Sequence, residues 1–334
     1  FMLNNKNILI TGGTGSFGKM FVGYIIKKFK PKRLIIYSRD ELKQLDMKNS
    51  INLKKYKYIR FFIGDIRDKD RLETALRDVD IVFHTAAMKQ VDTAEYNPTE
   101  CINTNIIGTT NLINASQKMG VKKFISLSTD KAVNPINLYG ATKLAADKLV
   151  VAANNLSGEK LTRFSVVRYG NVVGSRGSVI PYFSSLIKSG ASYLPITHNE
   201  MTRFWITLDQ SALFVLNCLK IMKGGEIFVP KIPTAKIYDI CKALDNKIKI
   251  KVIGIRPGEK LHEILCSKEM ASSTIEFKKY FLITPGVKFF DGNINYFISK
   301  ENEKGKKVKS DFEYSSNNQK KFLSIKEIKK LINT

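Results

Sequence analysis

Asn7-Ile-Leu-Ile-Thr-Gly-Gly-Thr-Gly-Ser-Phe-Gly18 is the segment that decides how the chain folds. Asn7 to Ile10 is a short apolar run of strand character, and beyond the glycines Met20, Phe21, Tyr24, Ile25 and Ile26 recur at helical spacing. Glycines at 12, 15 and 18 permit a tight turn, close approach of backbone N–H groups to a diphosphate, and packing of the helix on the strand. Strand, glycine turn and helix are therefore predicted around a dinucleotide, with Gly12, Thr14, Gly15, Ser16, Phe17 and Gly18 as cofactor-binding candidates.

Further strand and helix patterns follow. Arg33 to Tyr37 reads as a second strand ending in Ser38-Arg39-Asp40. An acidic group there would accept from a ribose 2′-hydroxyl, whereas Ser38, Arg39 and Lys43 suit a 2′-phosphate. The balance favours NADP, with Asp40 as the counter-indication. Tyr58 to Ile63 leads to Asp65 and Ile66, where Asp65 serves either the adenine amino group or a turn. Asp80 to His84 is a fourth strand running into small residues around Ala86, which let a cofactor lie close, and then Lys89, which is either a substrate contact or a solvated lysine. A helix is predicted over 103–119, with Asn105 placed to brace a neighbouring loop, and a fifth strand over 123–127. Strands alternating with helices of this length imply a doubly wound α/β fold, a parallel sheet with right-handed crossovers.

The fifth strand delivers Ser128-Thr-Asp-Lys-Ala-Val-Asn-Pro-Ile-Asn-Leu-Tyr-Gly-Ala-Thr-Lys143. Asn137 is a good N-cap, and Tyr139 and Lys143, four apart, share one helix face. An ammonium beside a phenol lowers its pKa and makes it an acid/base catalyst. Gly140 inside the helix costs about 1 kcal/mol relative to Ala, which makes sense where a ligand or backbone passes close by. Farther on, Phe164 to Arg168 is another strand, followed by a glycine-rich loop. There Asn171, Arg176 and Ser178 can hold a diphosphate. Arg203 to Asp209 is expected to open a helix running to Met222, and Glu226 to Val229 to return to the sheet. Arg256 and Glu259 lie on a turn, either as binders of diphosphate and sugar hydroxyls or as an ion pair. The expected organisation is a Rossmann domain over 1–165 with 203–230 returning to it, a smaller substrate-binding domain mainly over 166–300, and a tail over 301–334 that either folds over that domain or stays mobile.

Composition narrows the partners. The chain has 334 residues and a formal net charge of +25, which favours phosphorylated ligands. Lys and Arg are scattered without an arginine-rich block or aromatic stripe, so a nucleic-acid partner is not expected. Three histidines fit no metal-ligand spacing, and no metal is expected. Four separated cysteines, no signal-peptide pattern and no apolar run near the roughly 18 residues that span a bilayer predict a reduced, cytoplasmic setting without membrane contact.

The glycine triplet, the strand–helix alternation and Tyr139-x-x-x-Lys143 together resemble the extended short-chain dehydrogenase/reductase superfamily. Within it, Thr129-Asp130-Lys131 departs from the Thr-Asp-Glu of dehydratases that retain configuration at C5. With Tyr37-Ser-Arg-Asp-Glu-Leu-Lys43, Ala86-Ala-Met-Lys89, Arg168-Tyr-Gly-Asn-Val-Val-Gly-Ser-Arg-Gly-Ser178, Met201-Thr-Arg-Phe-Trp-Ile-Thr207, Arg256-Pro-Gly-Glu-Lys-Leu-His-Glu263 and Asp311-Phe-Glu-Tyr-Ser-Ser316, it is similar to the inverting UDP-N-acetylglucosamine 4,6-dehydratases of pseudaminic acid synthesis. The resemblance implies recycled NADP, contacted also by Ile66, Val172 and Lys143, and a UDP-N-acetylglucosamine substrate. It further implies a 4-keto-6-deoxy product of L-arabino configuration feeding flagellin glycosylation, and a homo-oligomer, with a hexamer among the sizes admitted. Tyr139, helped by Thr129, would take the C4 hydroxyl proton as hydride passes to NADP⁺, Lys131 would remove the C5 proton, and Asp130 would protonate the departing 6-hydroxyl. A lysine base must be neutral, so that role requires a depressed Lys131 pKa, from burial or from nearby cations such as Lys143. Two alternatives stand beside this reading. A UDP-hexose 4-epimerase would have no use for Asp130-Lys131, and a non-catalytic NADP-binding or nucleic-acid-binding protein would have no use for the Tyr–Lys–Thr set.

Overall fold

A computed structural model describes residues 2–157, 162–175, 177–287 and 294–332. The first half alternates as its periodicity predicts. β1 (Asn7–Thr11), β2 (Arg33–Ser38), β3 (Ile59–Ile63), β4 (Ile81–His84), β5 (Lys123–Thr129) and β6 (Arg163–Tyr169) are joined through α1 (Ser16–Lys28), α2 (Glu41–Ser50), α3 (Lys69–Ala75) and a helical stretch that starts earlier than expected. That stretch comprises α4 (Val91–Tyr96), α5 (Pro98–Ile102), a π-helical turn over Asn103–Ile107, and α6 (Gly108–Lys118). The widened turn carries Asn105, whose Oδ1 accepts from the Met88 N–H at 2.8 Å and whose Nδ2 donates to the Met88 carbonyl at 2.9 Å. The brace anticipated for this amide is present, at a π-bulge of the kind that recurs near functional sites. After β5 the chain makes a 3₁₀ turn over Asp130–Ala132 and enters α7 (Leu138–Ala152).

The second half builds the wall facing that site: β7 (Asn171–Val172), α8 (Val179–Lys188), β8 (Tyr193–Ile196), β9 (Thr202–Ile206), α9 (Leu208–Ile221), β10 (Ile227–Pro230), β11 (Thr234–Lys236), α10 (Ile237–Leu244), β12 (Lys249–Val252), β13 (Ile264–Cys266), β14 (Thr274–Glu276), β15 (Tyr280–Ile283), β16 (Lys306–Lys307), β17 (Tyr314–Ser315) and α11 (Ile325–Ile332). One expectation is corrected. Thr202 to Ile206 is a fully buried strand rather than a helix start, because a β-branched and aromatic run pairs with both β11 and β7. The helix begins only at Leu208, after Thr207 and Gln210 form a reciprocal capping box.

Among the described residues the main sheet has ten strands in the order β16-β14-β15-β10-β6-β5-β4-β1-β2-β3. The run from β3 to β10 is parallel, with β15, β14 and β16 antiparallel beyond it. The order reverses between β1 and β4, which opens a crevice at the carboxyl ends of the strands. One apolar cluster, with Phe21, Phe83 and Val215, covers one face of the sheet, and another, with Leu72, Phe124 and Leu112, covers the other. A third, around Trp205, Phe183, Ile240 and Ile328, holds α8, α10 and α11 together. Among the described residues no helix is long and apolar enough to cross a membrane.

Candidate active site

A cleft of about 610 Å³ runs along the carboxyl ends of the strands. From β1 it receives Gly12, Thr14, Gly15, Ser16, Phe17 and Gly18. Gly12 has φ +64°, and a Cβ there would lie 2.8 Å from the Ala86 backbone, so only glycine lets the β1 and β4 loops touch. Gly15 caps α1 without a side-chain bond, leaving the helix terminus to an anion. This open cradle and helix end suit a dinucleotide diphosphate.

The end of β2 supplies Ser38, Arg39, Asp40 and Lys43. Asp40 is occupied: Oδ1 accepts from the Lys43 N–H at 2.8 Å, capping α2, and Oδ2 pairs with the Lys43 ammonium. Arg39 is largely exposed and 3.5 Å from Asp65. Asp65 and Ile66 line the next stretch, where Asp65 closes a turn by accepting from the Arg67 N–H at 2.9 Å and pairing with its guanidinium at 2.8 Å. Burial would raise the Asp65 pKa, but Arg67 outweighs it and the net shift is downward. Ala86 and Lys89 follow from β4.

Behind the β4 loop, His84 is fully buried and accepts or donates at both ring nitrogens, 2.8 Å from Thr11 Oγ1 and 3.0 Å from Thr109 Oγ1. Thr109 gives its own proton to the Asn105 carbonyl, so His84 Nε2 donates and Nδ1 accepts from Thr11. Burial, with the nearby Lys143 charge, drives the imidazole pKa down to about 3.

The opposite wall comes from β5, α7 and β6 and presents Thr129, Asp130, Lys131, Tyr139, Lys143, Asn171, Val172 and Ser178. Asn137 caps α7 by accepting from the Gly140 N–H at 2.8 Å. The helical glycine has its reason: a Cβ on Gly140 would stand 2.2 Å from the Lys131 carbonyl oxygen. Lys143 Nζ donates to the Leu127 carbonyl at 2.8 Å. Tyr139 does not show the depressed pKa expected from Lys143. Burial pushes it up to about 12, and the groups opposing that rise are Lys131 and Thr129.

The charged centre is more elaborate than the sequence reading allowed. Lys131 Nζ lies 3.2 Å from Asp130 Oδ1 and 3.2 Å from Glu263 Oε1. Thr129 Oγ1 donates to the same Asp130 oxygen at 3.0 Å. Arg203 stands 3.8 Å from Glu263 and 3.7 Å from Glu259. The depressed pKa that a Lys131 base requires is not found: burial alone would lower it, but the two carboxylates reverse the sign and hold an ammonium. Asp130 moves up, chiefly by burial, while Glu263 moves down because the surrounding cations outweigh its burial.

Arg256 and Glu259 do not line the cleft: Arg256 pairs with Glu259 at 3.2 Å, and Glu259 also faces Arg203. The turn carrying them docks on the catalytic helix, Asn137 Nδ2 donating to the Gly258 carbonyl at 2.8 Å. Arg176 lies outside the described residues. Glu263 and Arg203 were quoted within motifs but given no role, and Gln90, Ser175 and Tyr169 of the cleft wall were also missed. The only signal for Glu263 was a carboxylate ending a charged run, because its contact with Lys131 spans 132 positions. Among the described residues no cluster of His, Cys, Asp or Glu could hold a metal ion.

A family model described as polysaccharide biosynthesis protein matches residues 8–285. A UDP-N-acetylglucosamine 4,6-dehydratase (inverting) of Campylobacter jejuni subsp. jejuni serotype O:2 is 57% identical over 99% of this chain and 98% of its own. A UDP-glucose 4-epimerase of Rickettsia bellii is 42% identical over 99% and 96%. The X-ray structure of Pen from Bacillus thuringiensis superposes with a TM-score of 0.88 at 37% identity, covering 99% of this chain and 98% of that one. The chain thus belongs to the polysaccharide biosynthesis protein family of extended short-chain dehydrogenases/reductases, in the group that contains the inverting UDP-N-acetylglucosamine 4,6-dehydratases.

Proposed function

We propose that the protein is an NADP-dependent, configuration-inverting 4,6-dehydratase of UDP-N-acetylglucosamine, working as a homo-oligomer at the first step of pseudaminic acid synthesis for flagellin glycosylation. The observation that carries the reaction is the Asp130–Lys131 pair in the same cleft wall as Thr129 and Tyr139: an elimination set beside an oxidation set. The capped, ion-paired state of Asp40 beside an exposed Arg39 supports a 2′-phosphate over a bare ribose. Four unpaired, buried cysteines suit a cytoplasmic location.

Residues of the glycine turn, Ser38, Arg39, Lys43 and Lys143 would hold the cofactor, with Asn171 and Ser178 turned to the sugar nucleotide. NADP⁺, when bound, supplies the hydride acceptor for sugar C4 and the donor that later returns hydride to C6. Tyr139 takes the C4 hydroxyl proton as its phenolate, the form that the Lys131 charge and the Thr129 hydroxyl favour against the rise that burial imposes on its pKa. The resulting ketone acidifies C5–H. Lys131 as an ammonium cannot accept that proton, but the 3.2 Å contact with Asp130 offers a route. One proton moved from Lys131 to Asp130 leaves an amine for C5–H and a carboxylic acid for the 6-hydroxyl, with no change in net charge. Burial of Asp130 favours its acid form. The C5–H electrons then form C5=C6, the C6–O bond breaks, and Asp130 protonates the leaving hydroxyl to water. Hydride returned to C6 and a proton from solvent added to C5 on the face opposite Lys131 complete the inversion, while Lys131 and Asp130 are left again as ammonium and carboxylate.

Incubation with UDP-N-acetylglucosamine in D₂O, followed by NMR, tests this reading. The expected product is a 4-keto-6-deoxy sugar carrying deuterium and inverted configuration at C5, formed about 10²–10⁴-fold more slowly with Lys131→Ala. A C4 epimer that keeps its 6-hydroxyl would replace the reading with epimerisation, for which the Asp130–Lys131 pair has no task.

A further inference from the structure

We infer that Glu263 is a positioning residue for Lys131, fixing its amino group in the cleft and stabilising the positive charge it gains on taking the C5 proton. The inference rests on the dehydratase reading. Lys131 Nζ is held symmetrically, 3.2 Å from a carboxylate oxygen on its own turn and 3.2 Å from one on the segment entering β13. Lys131 lines the cleft; Glu263 does not, and is only 2% exposed, so it acts through the lysine rather than on the sugar. Its Oε2 is buried without a hydrogen-bond donor, with Lys260 Nζ no closer than 4.0 Å. A buried carboxylate with one oxygen committed to a cleft lysine and the other unsatisfied is costly to keep for packing alone.

The surroundings divide the work. The groups bearing on the Lys131 amino group are Asp130 on the 3₁₀ turn, Tyr139 on α7, Arg203 on β9 and Glu263, while Lys260 and Arg203 face Glu263 from behind. Asp130 exchanges a proton with Lys131 during the proposed elimination, so it cannot remain the fixed counter-charge throughout. Glu263 can: burial is opposed first by Lys131 and then by Arg203 and Lys260, and the last two still face the carboxylate when Lys131 gives up its proton. When the amine removes the C5 proton, N–H forms, C5–H breaks, and the new ammonium meets a carboxylate already 3.2 Å away. The resting lysine is already an ammonium at that contact, so the carboxylate stabilises both ends of the cycle and its contribution to rate is the fixed placement of the amino group between them.

Glu263→Gln keeps the shape and removes the charge. The expected result is a fall in kcat of about 10- to 100-fold, part of the roughly 10²–10⁴ that a general base supplies, with KM for UDP-N-acetylglucosamine little changed. In ¹³C-lysine NMR of the same variant, the Lys131 titration moves to lower pH by about one unit or more. Glu263→Asp, which restores the charge on a shorter stem, recovers part of both. In a Lys131→Ala background, Glu263→Gln has no further effect on residual turnover. An unchanged kcat, or a lost kcat with the Lys131 titration unmoved, overturns the inference. Failure of the wild-type protein to dehydrate the sugar overturns the reading beneath it instead, and leaves the Lys131 titration as a separate test of the contact.

Discussion

At the scale of single residues, His84 controls the cleft without touching its contents. Thr11 donates to its Nδ1 and at the same time accepts from the backbone N–H groups of Thr85 and Ala86, at 3.2 and 3.3 Å. A proton on Nδ1 would turn that donor into a competitor and loosen the β1–β4 junction. The folded pKa of about 3 lies below the unfolded value near 6.5, so the unfolded chain binds the extra proton between them. This contribution to stability is complete above the unfolded value and is lost as pH falls toward 3. Denaturant titrations at pH 7, 6, 5 and 4 are expected to show a loss of about 1.4 kcal/mol per pH unit from this group, flattened in His84→Gln. Tyr139 makes a different prediction. Its phenol is the group assigned to C4–OH, so Tyr139→Phe should lower kcat by about 10²–10⁴-fold and remove cofactor reduction in a single turnover, while nucleotide-sugar binding by calorimetry persists. Retained reduction would reassign the base.

At the scale of elements, α7 and the 3₁₀ turn before it act as one unit. Backbone meets backbone there: Gly140 leaves space for the Lys131 carbonyl, and Asn137 both caps α7 and holds the turn at Gly258. Intrinsic propensity says Gly140→Ala stabilises a helix by about 1 kcal/mol, but a Cβ 2.2 Å from that oxygen must push the turn away. The variant should therefore be less stable in urea, by about 1–3 kcal/mol, and should lose turnover by more than its folded fraction explains. A gain in stability with full activity would show that the turn yields freely. What was legible in the sequence follows from the same distinction. Glycine spacing, Asn137 and the Tyr139–Lys143 pair are local patterns and could be read. The strand at Thr202–Ile206 was not, because its partners β11 and β7 lie outside any local window. The sign of the Lys131 shift was hidden for the same reason, since half of its cage is Glu263.

At the scale of the whole molecule, the segment beyond residue 301 completes the site built by the first half of the chain. The sequence left open whether the tail folds over or stays mobile; among the described residues β17 pairs with β13, and α11 packs its Ile328 into the cluster around Trp205. Ser316 is the joint. Its Oγ accepts from the Glu263 N–H at 2.9 Å and meets Thr202 Oγ1 at 2.7 Å, while its own N–H donates to the Glu263 carbonyl at 2.8 Å. Glu263 is thus held by its backbone from the tail and by its carboxylate from Lys131 and Arg203, so elements from three distant parts of the chain fix one amino group. Ser316→Ala leaves the buried Glu263 N–H without its acceptor, at a cost of about 1–3 kcal/mol. If the tail serves only stability, urea titration will record that loss and kcat of the folded protein will stand. If it also steadies Glu263, kcat falls several-fold at temperatures where the protein is fully folded, and combining Ser316→Ala with Glu263→Gln costs no more turnover than Glu263→Gln alone. The second outcome is the one expected, since among the described residues three ion pairs orient that carboxylate and two of the three hydrogen bonds to the Glu263 backbone come from Ser316.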